Sequence, residues 1–178
     1  DLVRSRGLGD VYKRQSNKLP LYAWLGPQRI SREDDPATWL IPLPQIQIFG
    51  GGAHAGRRVD IQDFMVTCPR AKSFAEALEW TAEVYAAAGR WMAARGKLGG
   101  VADEGGWWPE FAQNEHALDA LVDAIEMAGF TPGHEVAIAL DIAASELGQN
   151  GRYRLGLEQR ELDSDGLIEM LLGWLDRY

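Results

Sequence analysis

The chain has 178 residues, of which 46% are hydrophobic and 25% charged, and its formal net charge is −8. This length and composition predict one globular domain, and the acidic balance argues against a nucleic-acid or membrane-surface partner. The single cysteine, Cys68, can form neither an internal disulfide nor a thiolate metal site, which fits a reducing, cytoplasmic setting. No apolar run reaches the ~18 residues that a membrane span needs.

The first fifteen residues differ from the rest of the chain. Residues 1–15 carry four basic and two acidic side chains on an otherwise acidic protein, and they show no useful periodicity. They resemble the translated adapter tails found at the ends of chains assembled from environmental DNA, and the alternative is a genuine basic arm. We therefore expect them to lie outside the fold. The polar, proline-containing stretch 28–38 predicts a linker.

Two strands are predicted next. The alternation of apolar and polar residues towards the end of Leu40–Phe49 is typical of a strand, and the glycines at 50–52 end it. Val59–Thr67 predicts a second strand.

Helices follow the two strands. Apolar residues recur at steps of three and four within Ala71–Arg95, and Ser73 with Glu76 forms a capping-box pattern at its start. Asn114 is predicted to cap a second helix, which Gly129 stops.

The last third of the sequence predicts a strand, a hairpin and a helix. Val136–Leu140 is a continuous apolar run of the kind buried in a parallel sheet or barrel, and Asn150-Gly151 indicates a hairpin turn. Either Asp163 or Ser164 is expected to cap the final helix. The order strand, strand, helix, helix, strand, helix favours an α/β protein that begins a TIM-type barrel. Because a complete barrel takes ~250 residues, we expect a partial barrel, truncated at its C-terminus.

Two acidic motifs can carry chemistry. In Asp103-Glu104-Gly105-Gly106 a carboxylate pair lies on a glycine-flanked loop, and Asp141 ends the apolar run before it. A carboxyl on such a loop can act as a general acid, and an oxygen ligand at a strand end can hold a cation. Taken alone, the first motif favours a solvated acidic turn, and the second an aspartate that caps the next turn.

Two more segments complete a recognisable set: Gly50-Gly51-Gly52-Ala53-His54-Ala55, and the stretch Val59–Met65 that contains Gln62 and Asp63. The four segments, in their order along the chain, resemble the enolase family over about residues 19–178. The resemblance implies that 16–38 is the remnant of an N-terminal domain with its linker. It also implies that 39–178 is the first half of the enolase barrel domain, which opens with two strands and two helices.

The resemblance assigns a role to each motif. Glu104 matches the general acid that assists departure of hydroxide, and Asp141 matches the first of three Mg²⁺ carboxylates. His54, Gln62 and Asp63 match substrate contacts, and Asp63 also matches a residue that supports the acid. Mg²⁺ is the implied cofactor. Two other histidines, His116 and His134, are expected to face solvent.

The sequence departs from the family pattern at three positions. Asp63 stands where the family usually has the longer Glu, Gly50 where Asn is common, and Trp108 where a smaller residue is usual. We expect Trp108 to pack on the rim of the barrel. Because a shift of about an ångström at a catalytic group can cost about 100-fold in rate, Asp63 bears on rate and substrate rather than on the fold.

The activity implied by the resemblance is that of a lyase in glycolysis. The intact enzyme would be a cytoplasmic homodimer that dehydrates 2-phosphoglycerate to phosphoenolpyruvate. The catalytic lysine and the other metal carboxylates are expected after Tyr178, so we expect this chain alone to be inactive. The alternatives are a related acid-sugar dehydratase and a non-catalytic paralogue that serves as a binding or assembly protein.

Overall fold

The computed structural model describes Lys18 and residues 41–178 except Pro109, and it leaves the side chain of His54 outside the description. The chain divides into two compact units, Asp1–Pro42 and Leu43–Tyr178. The expectations for residues 1–15 and 16–38 fall on the first unit and, Lys18 apart, lie outside the described residues. The helices and strands given by the described residues all lie in the second unit.

A three-stranded sheet forms the centre of this unit. Its strands are β1 (Ile46–Gly50), β2 (Asp63–Thr67) and β3 (Ala137–Asp141), with β2 in the middle and antiparallel to both neighbours. The predicted start of the second strand at Val59 is wrong by four residues. The carbonyls of Val59 and Gln62 accept hydrogen bonds from Gly52 N (2.9 Å) and Gly51 N (2.7 Å), and this irregular pairing replaces a ladder.

Helix α1 (Phe74–Ala94) begins as the sequence predicts. Ser73 is its N-cap, and the Ser73 hydroxyl accepts a hydrogen bond from Glu76 N at 3.1 Å. The Glu76 carboxylate in turn accepts from Lys72 N. These bonds satisfy backbone donors that the first turn of a helix leaves unpaired.

Helix α2 (Asn114–Met127) begins differently from the prediction. Its N-cap is Gln113, which makes no side-chain cap bond, so the prediction that Asn114 caps the helix is wrong. Asn114 is the first helical residue and is fully buried. Its side-chain amide bonds instead to Asp60 and Glu158, at 2.9–3.0 Å, and these bonds satisfy a polar group that is fully buried.

A second, smaller sheet follows β3. The chain passes through α3 (Ala144–Leu147) into β4 (Gly148–Gln149), β5 (Arg152–Leu155) and β6 (Arg160–Leu162), all antiparallel, and ends in α4 (Ser164–Arg177). The predicted hairpin turn is confirmed, because Asn150 and Gly151 both have positive φ, as a type I′ turn requires. Asp163 caps α4 by accepting from Gly166 N at 2.9 Å.

The hydrophobic core lies between the central sheet and the helices. Phe64 and Val66 of β2 are fully buried, as are Val84 and Met92 of α1 and Leu121 of α2. The expectation that the third strand is fully buried is wrong, since Ala137–Leu140 are only half-buried. The reason is that β3 is an edge strand in the described sheet.

The described residues therefore form a mixed α/β unit. Its three-stranded sheet does not close on itself, so a complete barrel is not seen in this part of the chain. None of the described helices is both long and apolar enough to cross a membrane.

Candidate active site

Because β2 is antiparallel to both neighbours, one end of each of the three strands lies at the same edge of the sheet. Asp63 starts β2 where β1 and β3 finish, and it is the Cα partner of Gly50 on one side and of Asp141 on the other. Side chains at directly opposed positions of a sheet share a face. The structure therefore brings the predicted residues Asp63 and Asp141 together.

The irregularity in β1 adds a fourth position to this face. Gln47 pairs with Met65 and Gly50 pairs with Asp63, so a bulge lies between Gln47 and Phe49. Met65 and Asp63 are two residues apart and face the same way. Gln47 and Gly50, although three residues apart, therefore share that face, as bulges near functional sites allow.

The acidic loop folds back onto β1. Ala102 N donates to Gly106 O at 2.8 Å and Gly105 N donates to Ala102 O at 3.0 Å, which forms a tight turn with Asp103 and Glu104 exposed on it. Gly105 has a φ of +97°, which glycine adopts easily. The turn therefore presents both carboxylates to solvent at the sheet edge.

Two aromatic residues anchor the loop. Trp107 N donates to Ile48 O at 2.8 Å, and Trp107 O accepts from Gly50 N at 3.1 Å. These two backbone hydrogen bonds hold the loop alongside β1. Tyr85 of α1 stacks on the Trp107 ring at 4.7 Å and donates from its hydroxyl to Gly105 O at 2.9 Å. Burial raises the pKa of Tyr85, so this donor keeps its proton at neutral pH.

Gln47 links the loop to the sheet, and sequence reasoning missed it. Its Nε2 donates to Asp63 Oδ1 and to Glu104 Oε2 (3.1 Å), and its Oε1 accepts from Gly106 N at 2.8 Å. The sequence signal was present in the alternation of Gln45 and Gln47 with apolar residues, but that pattern equally fits a strand with one face in water.

Two glycines make room for this side chain. A Cβ at Gly106 would lie 2.5 Å from Gln47 Oε1, and one at Gly50 would lie 3.2 Å from the same atom and 2.5 Å from Ala102 Cβ. The departure at Gly50 noted in the sequence thus has a structural reason, because a larger residue would displace Gln47 or the loop.

The glycine-rich segment forms a 3-10 turn (Gly52–Ala55) that contains His54, whose side chain lies outside the description. Trp108 holds this turn, since its indole Nε1 donates to Ala55 O at 2.5 Å and Arg58 lies over its ring at 4.3 Å. Trp108 therefore packs against this turn, and its predicted place on the rim of a barrel stays a prediction. The hydrogen bond seen at Gln62 is through its backbone carbonyl, so its predicted contact with substrate stays a prediction.

Asp141 is exposed at the end of β3, and its Oδ1 accepts from Ala143 N at 2.9 Å. This is the turn-capping role that the sequence left open, and the donor is the backbone N–H of Ala143. Its oxygens are also of the kind that Mg²⁺ prefers, and protein sites for Mg²⁺ often use only one or two carboxylates. Within the described residues no group of three or more acidic, histidine or cysteine side chains is placed to hold a metal. Asp141 therefore fits Mg²⁺ as a single ligand, not as a complete site.

The remaining charged and polar candidates lie away from this cluster. His116 and His134 are exposed, as expected. Cys68 is buried, and burial raises the pKa of its thiol, which makes it unreactive. An apolar groove of about 270 Å³ between α2, β3 and α4 contains none of the predicted site residues.

Comparison with known proteins identifies the family of this chain. Residues 38–172 match the family model described as "Enolase, C-terminal TIM barrel domain". The chain is 43% identical over 164 residues to Enolase 1 of Desulfitobacterium hafniense (strain Y51), a match that covers 90% of this chain and 36% of that protein. The chain thus spans about a third of the length of this relative. It belongs to the enolase family.

Proposed function

We propose that this chain supplies the acid side of an enolase active site, in a protein that removes water from 2-phosphoglycerate to give phosphoenolpyruvate. The observation that carries the proposal is the position of three carboxyl-bearing residues at one sheet edge. Asp63 and Glu104 accept hydrogen bonds from the same amide nitrogen, and Asp141 is the strand partner of Asp63.

Each carboxyl has a distinct proposed task. Glu104, exposed on a tight glycine-flanked turn, gives a proton to the departing hydroxyl, since hydroxide itself is a poor leaving group. Asp63, only 7% exposed, lies beside it and contacts the same hydroxyl region, with His54 and Gln62 as further substrate contacts.

Mg²⁺ is the proposed cofactor, with Asp141 as one of its ligands. When bound, a divalent cation stabilises the negative charge that develops when the proton beside a carboxylate is removed. The described residues contribute the acid and this one ligand, and we assign no proton-abstracting base among them. A cytoplasmic, glycolytic role and a homodimeric assembly of the whole protein belong to the same proposal.

A segment exchange tests the proposal. The 164 matching residues of the Desulfitobacterium Enolase 1 would be replaced by those of this chain, and conversion of 2-phosphoglycerate to phosphoenolpyruvate would be measured with Mg²⁺ present. We expect turnover from the exchanged enzyme and none from the isolated 178-residue chain. A well-folded exchanged enzyme without turnover would favour the non-catalytic paralogue.

A further inference from the structure

We propose that Gln47 is a positioning residue that fixes Asp63 and Glu104 relative to each other through a single side-chain amide. This inference rests on the proposed function for its catalytic meaning, although the clamp itself is a structural claim. Gln47 is half-buried in β1, and its three bonds join the start of β2 to both sides of the acidic turn.

Only one orientation of the amide satisfies these partners. A primary amide has two N–H donors on one side and a carbonyl acceptor on the other. The two donors of Gln47 match the two carboxylates, and the carbonyl matches the N–H of Gly106. Turning the amide over would place its oxygen against two carboxylates and its NH₂ against an N–H donor, so the surroundings specify a single state.

The clamp also offsets an electrostatic problem. When both are ionised, Asp63 and Glu104 carry like charges, and a donor shared between them offsets the repulsion. A neutral amide supplies two donors without adding charge, and bonds from a donor to a carboxylate are stronger than bonds between neutral groups. Gln47 therefore allows a short aspartate on β2 and a glutamate on the loop to lie close together.

The local backbone is built around this side chain. The bulge between Gln47 and Phe49 turns Gln47 towards Asp63. Gly50 and Gly106 leave the space that it occupies, as the close approach of Oε1 to a Cβ at either position shows. A residue with only a packing role would not require glycine on both sides of its amide group.

The first test uses the 178-residue chain and reads the Gln47 side-chain NH₂ resonances by NMR. Asp63→Asn and Glu104→Gln should each shift them, because each removes one charged acceptor, and Gly106 N–H should lose protection from hydrogen exchange in Gln47→Met. Gln149→Glu, at an exposed glutamine in β4, should change neither signal. NH₂ resonances that respond to neither carboxylate variant would overturn the clamp.

The second test measures kinetics in the exchanged enzyme. Gln47→Glu keeps an oxygen for Gly106 but replaces the donor with a third carboxylate, so we expect kcat to fall by about 100-fold while KM changes little, as misplacement of a catalytic group predicts. Gln47→Met keeps the side-chain length and serves if the Glu variant folds poorly. A kcat within about threefold of the parent in either folded variant contradicts the positioning role.

The two tests separate the two proposals. If the parent exchanged enzyme is inactive, the proposed function fails, and the NMR measurements on the chain still decide whether the clamp exists. If the parent is active and the Gln47 resonances ignore both carboxylates, the clamp fails and the proposed function stands.

Discussion

Asp63 and Asp141 are Cα partners across the antiparallel strands β2 and β3, so two carboxylates share one face at directly opposed positions. Like charges placed in this way destabilise a sheet. Proteins commonly give up stability at sites where function needs strained or repelling groups. The pairing therefore supports a functional reading of both residues.

Asp141→Asn should stabilise the chain by up to about 1 kcal/mol, because it removes one of the two opposed charges. The Asn oxygen can still accept from Ala143 N, which Asp141 Oδ1 does in the native chain. Urea unfolding measures the gain, and added salt should reduce it. Asp141→Ala should gain less, since the turn at Ala143 loses its acceptor. Equal stability of Asp141→Asn and the native chain at low salt would argue against the repulsion.

Gly89→Ala in α1 should destabilise the chain by about 1–3 kcal/mol, because overpacking a filled site has that cost. A Cβ at Gly89 would lie 2.6 Å from the Trp107 ring, and Trp107 anchors the acidic loop to β1. The control is Gly173→Ala in α4, where a Cβ would meet nothing within 4 Å. That variant should gain about 0.5–1 kcal/mol from helix propensity. In thermal unfolding we expect Gly89→Ala to lower the Tm and Gly173→Ala to raise it. A stabilising Gly89→Ala would show that the Trp107 ring shifts to accommodate the added methyl group.

Asn114→Ala should destabilise the chain by about 1–3 kcal/mol, because it removes a buried amide and leaves the backbone N–H of half-buried Asp60 without this acceptor. Asn114 is fully buried and bonds to both the backbone N–H and the carboxylate of Asp60. The neighbouring Gln113→Ala is the matched control, since the Gln113 side chain makes no cap bond. It should stay within about 0.5 kcal/mol of the native chain. Similar effects of the two variants in denaturant titrations would contradict the assigned network.

Alkaline pH should lower the free energy of unfolding, because the Tyr178 hydroxyl ionises more easily in the unfolded chain than in the folded one. Burial, with the hydrogen bond from the Tyr178 hydroxyl to Asp119 Oδ1 at 2.7 Å, raises the pKa of Tyr178 well above its ordinary value. Since the folded state holds this proton more tightly, the contribution is complete below the unfolded value of about 10 and is lost as pH rises through the folded pKa.

The measurement compares unfolding at about pH 9 and about pH 11 in the native chain and in Tyr178→Phe. The Phe variant should lose less stability between the two pH values than the native chain does. Tyr153→Phe is the control, because the Tyr153 hydroxyl makes no hydrogen bond within the described residues. An identical pH response in the native chain and in Tyr178→Phe would show that Tyr178 does not contribute to the loss of stability at alkaline pH.

Sequence patterns predicted the elements better than their ends. The capping box at Ser73 and the hairpin at Asn150-Gly151 were correct because the bonds that define them are local. The start of β2 was wrong, since the pairing of Gly51 and Gly52 with residues 59–62 depends on a turn that periodicity does not encode. Asn114 was assigned as a cap because its actual partners, Asp60 and Glu158, are 54 and 44 residues away.

The sequence predicted only those site residues that lie in recognisable motifs. Asp63, Glu104 and Asp141 lie in motifs whose order along the chain can be recognised, and β-sheet register then joins Asp63 to Asp141. Gln47 could not be found in this way, because its role depends on a bulge and on a loop 57 residues further along. A polar residue in an alternating strand looks like a solvent-facing position until the partner strand and loop are placed.

The most direct test of the central claim is the kcat of Glu104→Gln in the exchanged enzyme relative to its parent, with 2-phosphoglycerate and Mg²⁺. Gln keeps the size of Glu104 and removes the acid, so we expect kcat to fall by about 100- to 10,000-fold, the usual contribution of a general acid. A kcat within about tenfold of an active parent would contradict the assignment of Glu104 as the acid.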